Sequence, residues 1–165
     1  MGGAETRHGC RLHGSAAVNP GAADKTRVPQ SVLFLCGMNA IRSPMAEALA
    51  RQILPSRVFL ASAGLRAGER DPFVDAVLDE KGLSLGERQP QSIEELADTN
   101  FDLIITLSPE AHHRALDMTR TIAADVEYWP TMDPTVVSGT RDQIIAAYRD
   151  VRDRLAASIA QRFET

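Results

Sequence analysis

The chain is short of cysteine, has no surplus of positive charge and contains no long apolar run, and each shortage closes off a class of protein. Cys10 and Cys36 are the only cysteines among 165 residues. There is no CxxC pair and no Cys/His cluster at metal-ligand spacing, and His112 and His113, adjacent on an expected helix, project to different sides. No metal and no cofactor is therefore expected. So few thiols fit a reducing cytoplasmic setting better than a disulfide framework. The formal net charge of −4 argues against nucleic acid as partner, since such proteins carry a basic face. No apolar run approaches the ~20 residues of a membrane span, so no membrane partner is expected either. The N-terminus also lacks the apolar stretch of a secretory signal.

What is present is an ordinary globular balance of 44% hydrophobic and 24% charged residues, enough for one core without staples. Residues 1–30 are rich in Gly, Ala, Arg and His without periodicity and read as a disordered extension. Residues 31–165 read as the single domain. Val32-Leu33-Phe34-Leu35 is a continuous apolar run, the mark of a strand buried on both faces. Pro44 then falls in the first turn of a helix striped by Met45, Leu49 and Ile53. A second strand is expected over Arg57–Ala61, followed by a loop from Gly64 to Glu69. Asp71-Pro72 opens a helix that Gly82 closes. Ser92-Ile93-Glu94-Glu95 is a capping-box pattern for a short helix. A third strand is expected over Phe101–Leu107, a helix after Ser108-Pro109, and a fourth strand over Val126–Trp129. A long final helix follows Thr140, striped by Ile144, Tyr148, Val151, Leu155 and Ile159.

Buried strands alternating with helices predict an α/β fold: a four-stranded parallel sheet with helices on both faces, a doubly wound three-layer αβα arrangement. Ligands in such folds gather at the carboxyl ends of the strands. Cys36 follows the first strand and Asp133 the fourth, so both fall on that edge.

The loop Cys36-Gly37-Met38-Asn39-Ala40-Ile41-Arg42-Ser43 joins a buried strand to a helix N-terminus. If it curls, its backbone N–H groups converge on one point, and the helix adds unpaired donors and roughly half a positive charge. That nest suits a phosphate dianion, with Arg42 gripping two of its oxygens. The same surroundings favour a thiolate, which makes Cys36 the candidate nucleophile. Ser43 can donate to that sulfur, and Gly37 supplies tight backbone. The leaving oxygen of an ester needs a proton, and Asp133, stiffened by Pro134, is the candidate donor.

These residues resemble the low-molecular-weight protein-tyrosine phosphatases, whose fold is shared with thioredoxin-coupled arsenate reductases. The likeness runs from Val32 almost to the C-terminus and is strongest in VLFLCGMNAIRSPMAEALAR, at Ser62 and at Asp133-Pro134. It implies a phosphocysteine on Cys36, Arg42 as clamp, Asp133 as acid and then base, and Asn39 with Ser62 as buried support for the loop. It also implies a phosphorylated protein or a small phosphomonoester as substrate, and a monomer or weak homodimer. Several positions depart from the family pattern. Met38 and Ile41 replace a glycine and a second cysteine, and Thr135-Val136 replaces an aromatic pair. Ala40 stands where phosphoarginine-selective members carry Thr, and Gly86-Glu87-Arg88 stands near a usual loop-supporting His. Trp129 or Met132 is expected at the entrance. Two rival readings remain: arsenate reduction, which needs a relay of further thiols, and a non-catalytic phosphate-binding module.

Overall fold

A computed structural model describes residues 28–164. Strands β1 (Ser31–Cys36), β2 (Phe59–Gly64), β3 (Leu103–Thr106) and β4 (Asp125–Tyr128) alternate with helices α1 (Arg42–Ile53), α2 (Pro72–Asp79), α3 (Pro109–Met118) and α4 (Arg141–Phe163). All strand pairs are parallel, in the order β2-β1-β3-β4. The winding therefore reverses between β1 and β3, and the loop that leaves Cys36 opens at that switch point.

The period-two alternation of β1 divides the core. Val32, Phe34 and Cys36 face one way and pack with α1, α2 and α4, while Leu33 and Leu35 face the other and pack with α3. α1 is enclosed almost all round, with every residue from Ser43 to Ala50 buried. Within that run Glu47 is the one ionisable side chain, 2% exposed, and a buried carboxylate requires a partner.

Four local expectations shift, the first being that β3 covers Leu103–Thr106 and not the whole run Phe101–Leu107. β2 begins two residues later than expected and runs to Gly64, because its register pairs Phe34 with Ser62 and Cys36 with Gly64. Ser62 thus lies inside the strand rather than after it. The capping box at Ser92 is formed, but it opens only a 3₁₀ turn over Ile93–Glu95. β4 is displaced by one residue toward the N-terminus. The reading of residues 1–30 as an extension lies, for 1–27, outside the described residues. Of the remainder, Val28 packs on the core and the Gln30 amide donates to Asp102 at 2.8 Å. No helix among the described residues is long and apolar enough to cross a membrane.

Helices α2 and α4 are joined by charge. Arg152, 5% exposed, donates to the Val77 carbonyl and to Glu80, both at 2.7 Å, and Arg149 grips the same carboxylate. The bonds from Arg149 and then from Arg152 hold the Glu80 carboxyl down at about 2, against an ordinary 4.5. A depressed carboxyl stabilises the fold above its unfolded value and loses that contribution as pH falls through the folded one. Glu80→Gln should therefore lower the melting temperature at neutral pH. The gap from the parent should close between pH 4.5 and about 2, as followed by thermal unfolding across that range.

Candidate active site

The loop after β1 is shaped by an extension of the sheet. Beyond Gly64 the chain keeps pairing with the loop: the amides of Leu65, Arg66 and Gly68 donate to the carbonyls of Cys36, Gly37 and Met38 at 3.1, 3.0 and 2.8 Å. Asn39 takes the left-handed conformation, φ 52°, which asparagine tolerates better than most residues. Gly37 has no positive φ, and a Cβ there would touch nothing within 4 Å. The backbone demand expected at Gly37 thus falls on Asn39 and on Gly64, whose Cβ would stand 2.5 Å from the Arg66 carbonyl oxygen and 2.6 Å from the Asn39 nitrogen. Ile41 sits at the N-cap of α1 and makes no side-chain cap hydrogen bond, so the first-turn amides are not capped by that side chain.

A chain of polar contacts runs behind the loop. Ser43 Oγ lies 2.9 Å from Cys36 Sγ. Asn39 Nδ2 donates to Ser43 Oγ at 2.8 Å and to Ser62 Oγ at 2.9 Å, and its Oδ1 accepts from the Gln91 amide at 2.9 Å. Those partners fix which end of the Asn39 amide is which. Ser43 Oγ, already an acceptor, keeps its proton for Cys36 Sγ or for the Ala63 carbonyl at 3.3 Å. Cys36, Asn39, Ser43 and Ser62 are all 2% exposed or less.

Arg88 reaches the same cluster. Its Nη2 donates to Ser62 Oγ at 2.9 Å and to the Ser62 carbonyl at 3.1 Å, while Nη1 pairs with Glu47. Burial pushes the Arg88 guanidinium below its ordinary value. The neighbouring Glu87 is exposed. Of Gly86-Glu87-Arg88, the segment near the family's usual loop-supporting His, Arg88 is the residue that points inward.

Arg42 Nη1 donates to the Thr131 carbonyl at 3.0 Å, tying the Cys36 loop to the segment that carries Asp133. Asp133 is half-buried; its Oδ1 accepts from the Thr135 amide at 2.9 Å and the Thr135 hydroxyl at 2.7 Å, leaving Oδ2 as the oxygen able to hold a proton. Beneath it, the Tyr148 hydroxyl donates to Asp71 at 2.6 Å. Burial first, then Asp71 and the charge of Asp133, hold that phenol above its ordinary value.

The structure thus brings Cys36, Asn39, Ser43 and Ser62 together, with Arg42 beside them. Asp133 stands two residues along from the carbonyl that Arg42 holds, and bonds with Thr135 rather than with the other candidates. Met38 is exposed at the rim, Ala40 lines a water-sized recess with Arg88, and Ile41 packs on the core. Trp129 and Met132 line a groove of about 1010 Å³ between β4 and α4 whose walls include neither Cys36 nor Arg42. Sequence reasoning missed Gln91 and Thr131; it named Arg88 within Gly86-Glu87-Arg88 and Thr135 beside Pro134 without foreseeing their bonds to Ser62 and Asp133. Only Glu47, a lone acid in the run Met45 to Ala50, carried a signal that a buried cation must come to meet it.

Residues 31–164 match the low molecular weight phosphotyrosine protein phosphatase family. The chain is 31% identical to an arsenate reductase of Bacillus licheniformis over 136 residues, 82% of this chain and 96% of that protein. The tyrosine phosphatase amsI of Erwinia amylovora superimposes with a TM-score of 0.66 at 25% identity, covering 84% and 95% of the two chains. A cysteine-to-serine mutant of the arginine phosphatase YwlE, with a phosphorylated active-site serine, superimposes at 0.64 and 25% identity, covering 79% and 91%. With its parallel sheet, its loop after β1 and this match over nearly all described residues, the chain belongs to the low molecular weight phosphotyrosine protein phosphatase family. Similar proteins bear names of two chemistries, dephosphorylation and arsenate reduction.

Gly64→Ala should distort the loop, because the atoms in the way are backbone. We expect a loss of stability of about 1–3 kcal/mol, the usual scale of overpacking, together with weaker orthophosphate binding. Gly68→Ala, which meets the Met38 side chain at 3.0 Å, should be milder on both counts in thermal unfolding and calorimetric titration.

Proposed function

We propose that the protein hydrolyses phosphomonoesters through a phosphocysteine on Cys36. The observation that carries this reading is the 2.9 Å approach of Ser43 Oγ to Cys36 Sγ. With Asn39 donating into it, the Ser43 hydroxyl has its proton to give, and a thiolate is the acceptor that profits. The Cys36 thiolate attacks phosphorus, forming the S–P bond as the P–O ester bond breaks. Asp133 passes its proton to the departing oxygen. Backbone amides from Gly37 to Arg42 and the Arg42 guanidinium take the charge on the equatorial oxygens. Asp133, now a carboxylate, then takes a proton from water as that water attacks phosphorus; the thiolate leaves, steadied by Ser43, and orthophosphate is released.

A phosphorylated protein, phosphotyrosine among its forms, or a small phosphomonoester is the substrate class. The reaction draws on no metal or cofactor. The setting we propose is the cytoplasm, as a monomer or weak homodimer.

The names borne by similar proteins favour arsenate reduction as the second reading. It requires two electrons from thiols, and Cys36 is the free cysteine among the described residues, with Ile41 where a second loop cysteine would stand. Cys10 lies outside them. A non-catalytic phosphate-binding module is the third, and it predicts binding without turnover.

With p-nitrophenyl phosphate, wild type should turn over and Cys36→Ser should be inactive yet still bind vanadate. Asp133→Asn should lose roughly 10²–10⁴-fold in kcat, the scale of general acid catalysis. Wild-type hydrolysis that survives Cys36→Ser would overturn the mechanism. Arsenate-dependent thiol oxidation that requires Cys10 would favour the second reading, and vanadate binding without any wild-type turnover the third.

A further inference from the structure

The Arg88–Glu47 pair lies behind the phosphate loop, and fold stability alone gives little account of it. A buried ion pair contributes weakly, since losing water offsets much of the attraction. Glu47 also has another cation within reach, Arg51, 3.3 Å away and one turn along α1. What Arg88 does uniquely is touch Ser62 twice, at its hydroxyl and at its carbonyl. The segment carrying Arg88 is itself held: Arg70, paired with Asp75, donates to the carbonyls of Gly86 and Arg88. Further along, Gln91 bonds to Asn39, to the Ser62 carbonyl and, through its own carbonyl, to the Gly64 amide.

The hydrogen count gives this arrangement a direction. Ser62 Oγ receives from Arg88 and from Asn39, so both of its acceptor sites are in use. One Asn39 Nδ2 hydrogen is thereby anchored on Ser62 and the other is delivered to Ser43. If Arg88 is withdrawn, Ser62 is free to rotate, and the Asn39 amide loses the anchor that sets the Ser43 hydroxyl toward sulfur. A guanidinium does not deprotonate in proteins, so the anchor is constant with pH. The charged groups around it are Glu47 on α1, Arg51 beyond Glu47, and Arg70, which bonds to the Arg88 carbonyl; Ser62, Asn39 and Gln91 are neutral.

We propose that Arg88, held in place by Glu47, is a positioning residue for the phosphate loop, acting on Cys36 through Ser62, Asn39 and Ser43 as a support that does not titrate. For turnover this rests on the phosphocysteine reading above; for anion binding it stands without it.

The test compares wild type with Arg88→Met, Arg88→Lys, Arg88→His and the double variant Arg88→Met/Glu47→Leu, which leaves no buried charge unpaired. Each is measured for melting temperature, vanadate affinity and p-nitrophenyl phosphate kinetics. Arg88→Met and the double variant should lose about 10²-fold in kcat, the scale of a small misplacement of reacting groups, and should bind vanadate more weakly. The double variant should recover melting temperature over Arg88→Met without recovering either function. Arg88→Lys should regain part of both. In Arg88→His the activity relative to wild type should fall between about pH 5.5 and pH 8, as the imidazolium loses a donor. Wild-type kcat and vanadate affinity in the double variant, or Arg88→His tracking wild type at every pH, would overturn the inference. If wild type binds vanadate without turnover, the phosphatase reading fails and vanadate affinity across the variants decides this one. If wild type does neither, both fall.

Discussion

The side-chain amide of Asn39 is the contact on which the rest of the site depends. It is 1% exposed and sits in the left-handed turn of the loop. It makes three hydrogen bonds to three separate pieces of chain: the start of α1, the middle of β2 and the segment at Gln91. Low surrounding polarity strengthens such bonds and makes a broken one expensive. A residue that is at once a backbone irregularity and a three-way joint fixes the loop relative to the sheet and to α1 together. The Cys36 sulfur inherits its surroundings from that joint.

Rigidity is distributed unequally around the site. One flank, from Leu65 to Gly68, is bonded to the phosphate loop through consecutive main-chain contacts, so the loop behaves as a further rung of the β1–β2 pairing. The other flank, which carries Asp133, is joined to the loop through the Arg42–Thr131 bond and secured locally by Thr135. The Cys36 loop and Asp133 are therefore held by different means: the first by the sheet, the second by the Thr135 bonds and by the Arg42–Thr131 contact two residues before it.

The sequence was most informative where apolar pattern or capping chemistry decides structure. Three buried strands, the Asp71 and Thr140 caps and the Pro44 helix start fall close to where apolar runs and capping chemistry put them, and parallel order follows from the connection lengths; the fourth strand, at the sheet edge, is half-buried to exposed rather than buried. Ser62 was visible only by resemblance, and its strand was placed early because Ala61-Ser62-Ala63-Gly64 lacks the bulk that marks a strand; register with β1, not composition, extends β2 through it. The inward turn of Arg88 within Gly86-Glu87-Arg88, and the roles of Gln91 and Thr131, were invisible for another reason. Each acts through a contact 26 or more positions distant in the chain or through a carbonyl, and neither leaves a pattern in neighbouring residues. The Gly37 expectation failed because a glycine beside a tight loop need not be the residue that bears its unusual dihedral.

The Arg42–Thr131 bond has one more implication. An arginine side chain carries about 2 kcal/mol of rotamer entropy, and this one is oriented in advance by its Nη1 hydrogen bond to the Thr131 carbonyl. The orienting partner is a peptide carbonyl, which every amino acid possesses. Position 131 can therefore drift in sequence while the guanidinium keeps its aim, so the alignment of Arg42 is written in the path of the chain rather than in the identity of the side chain at position 131.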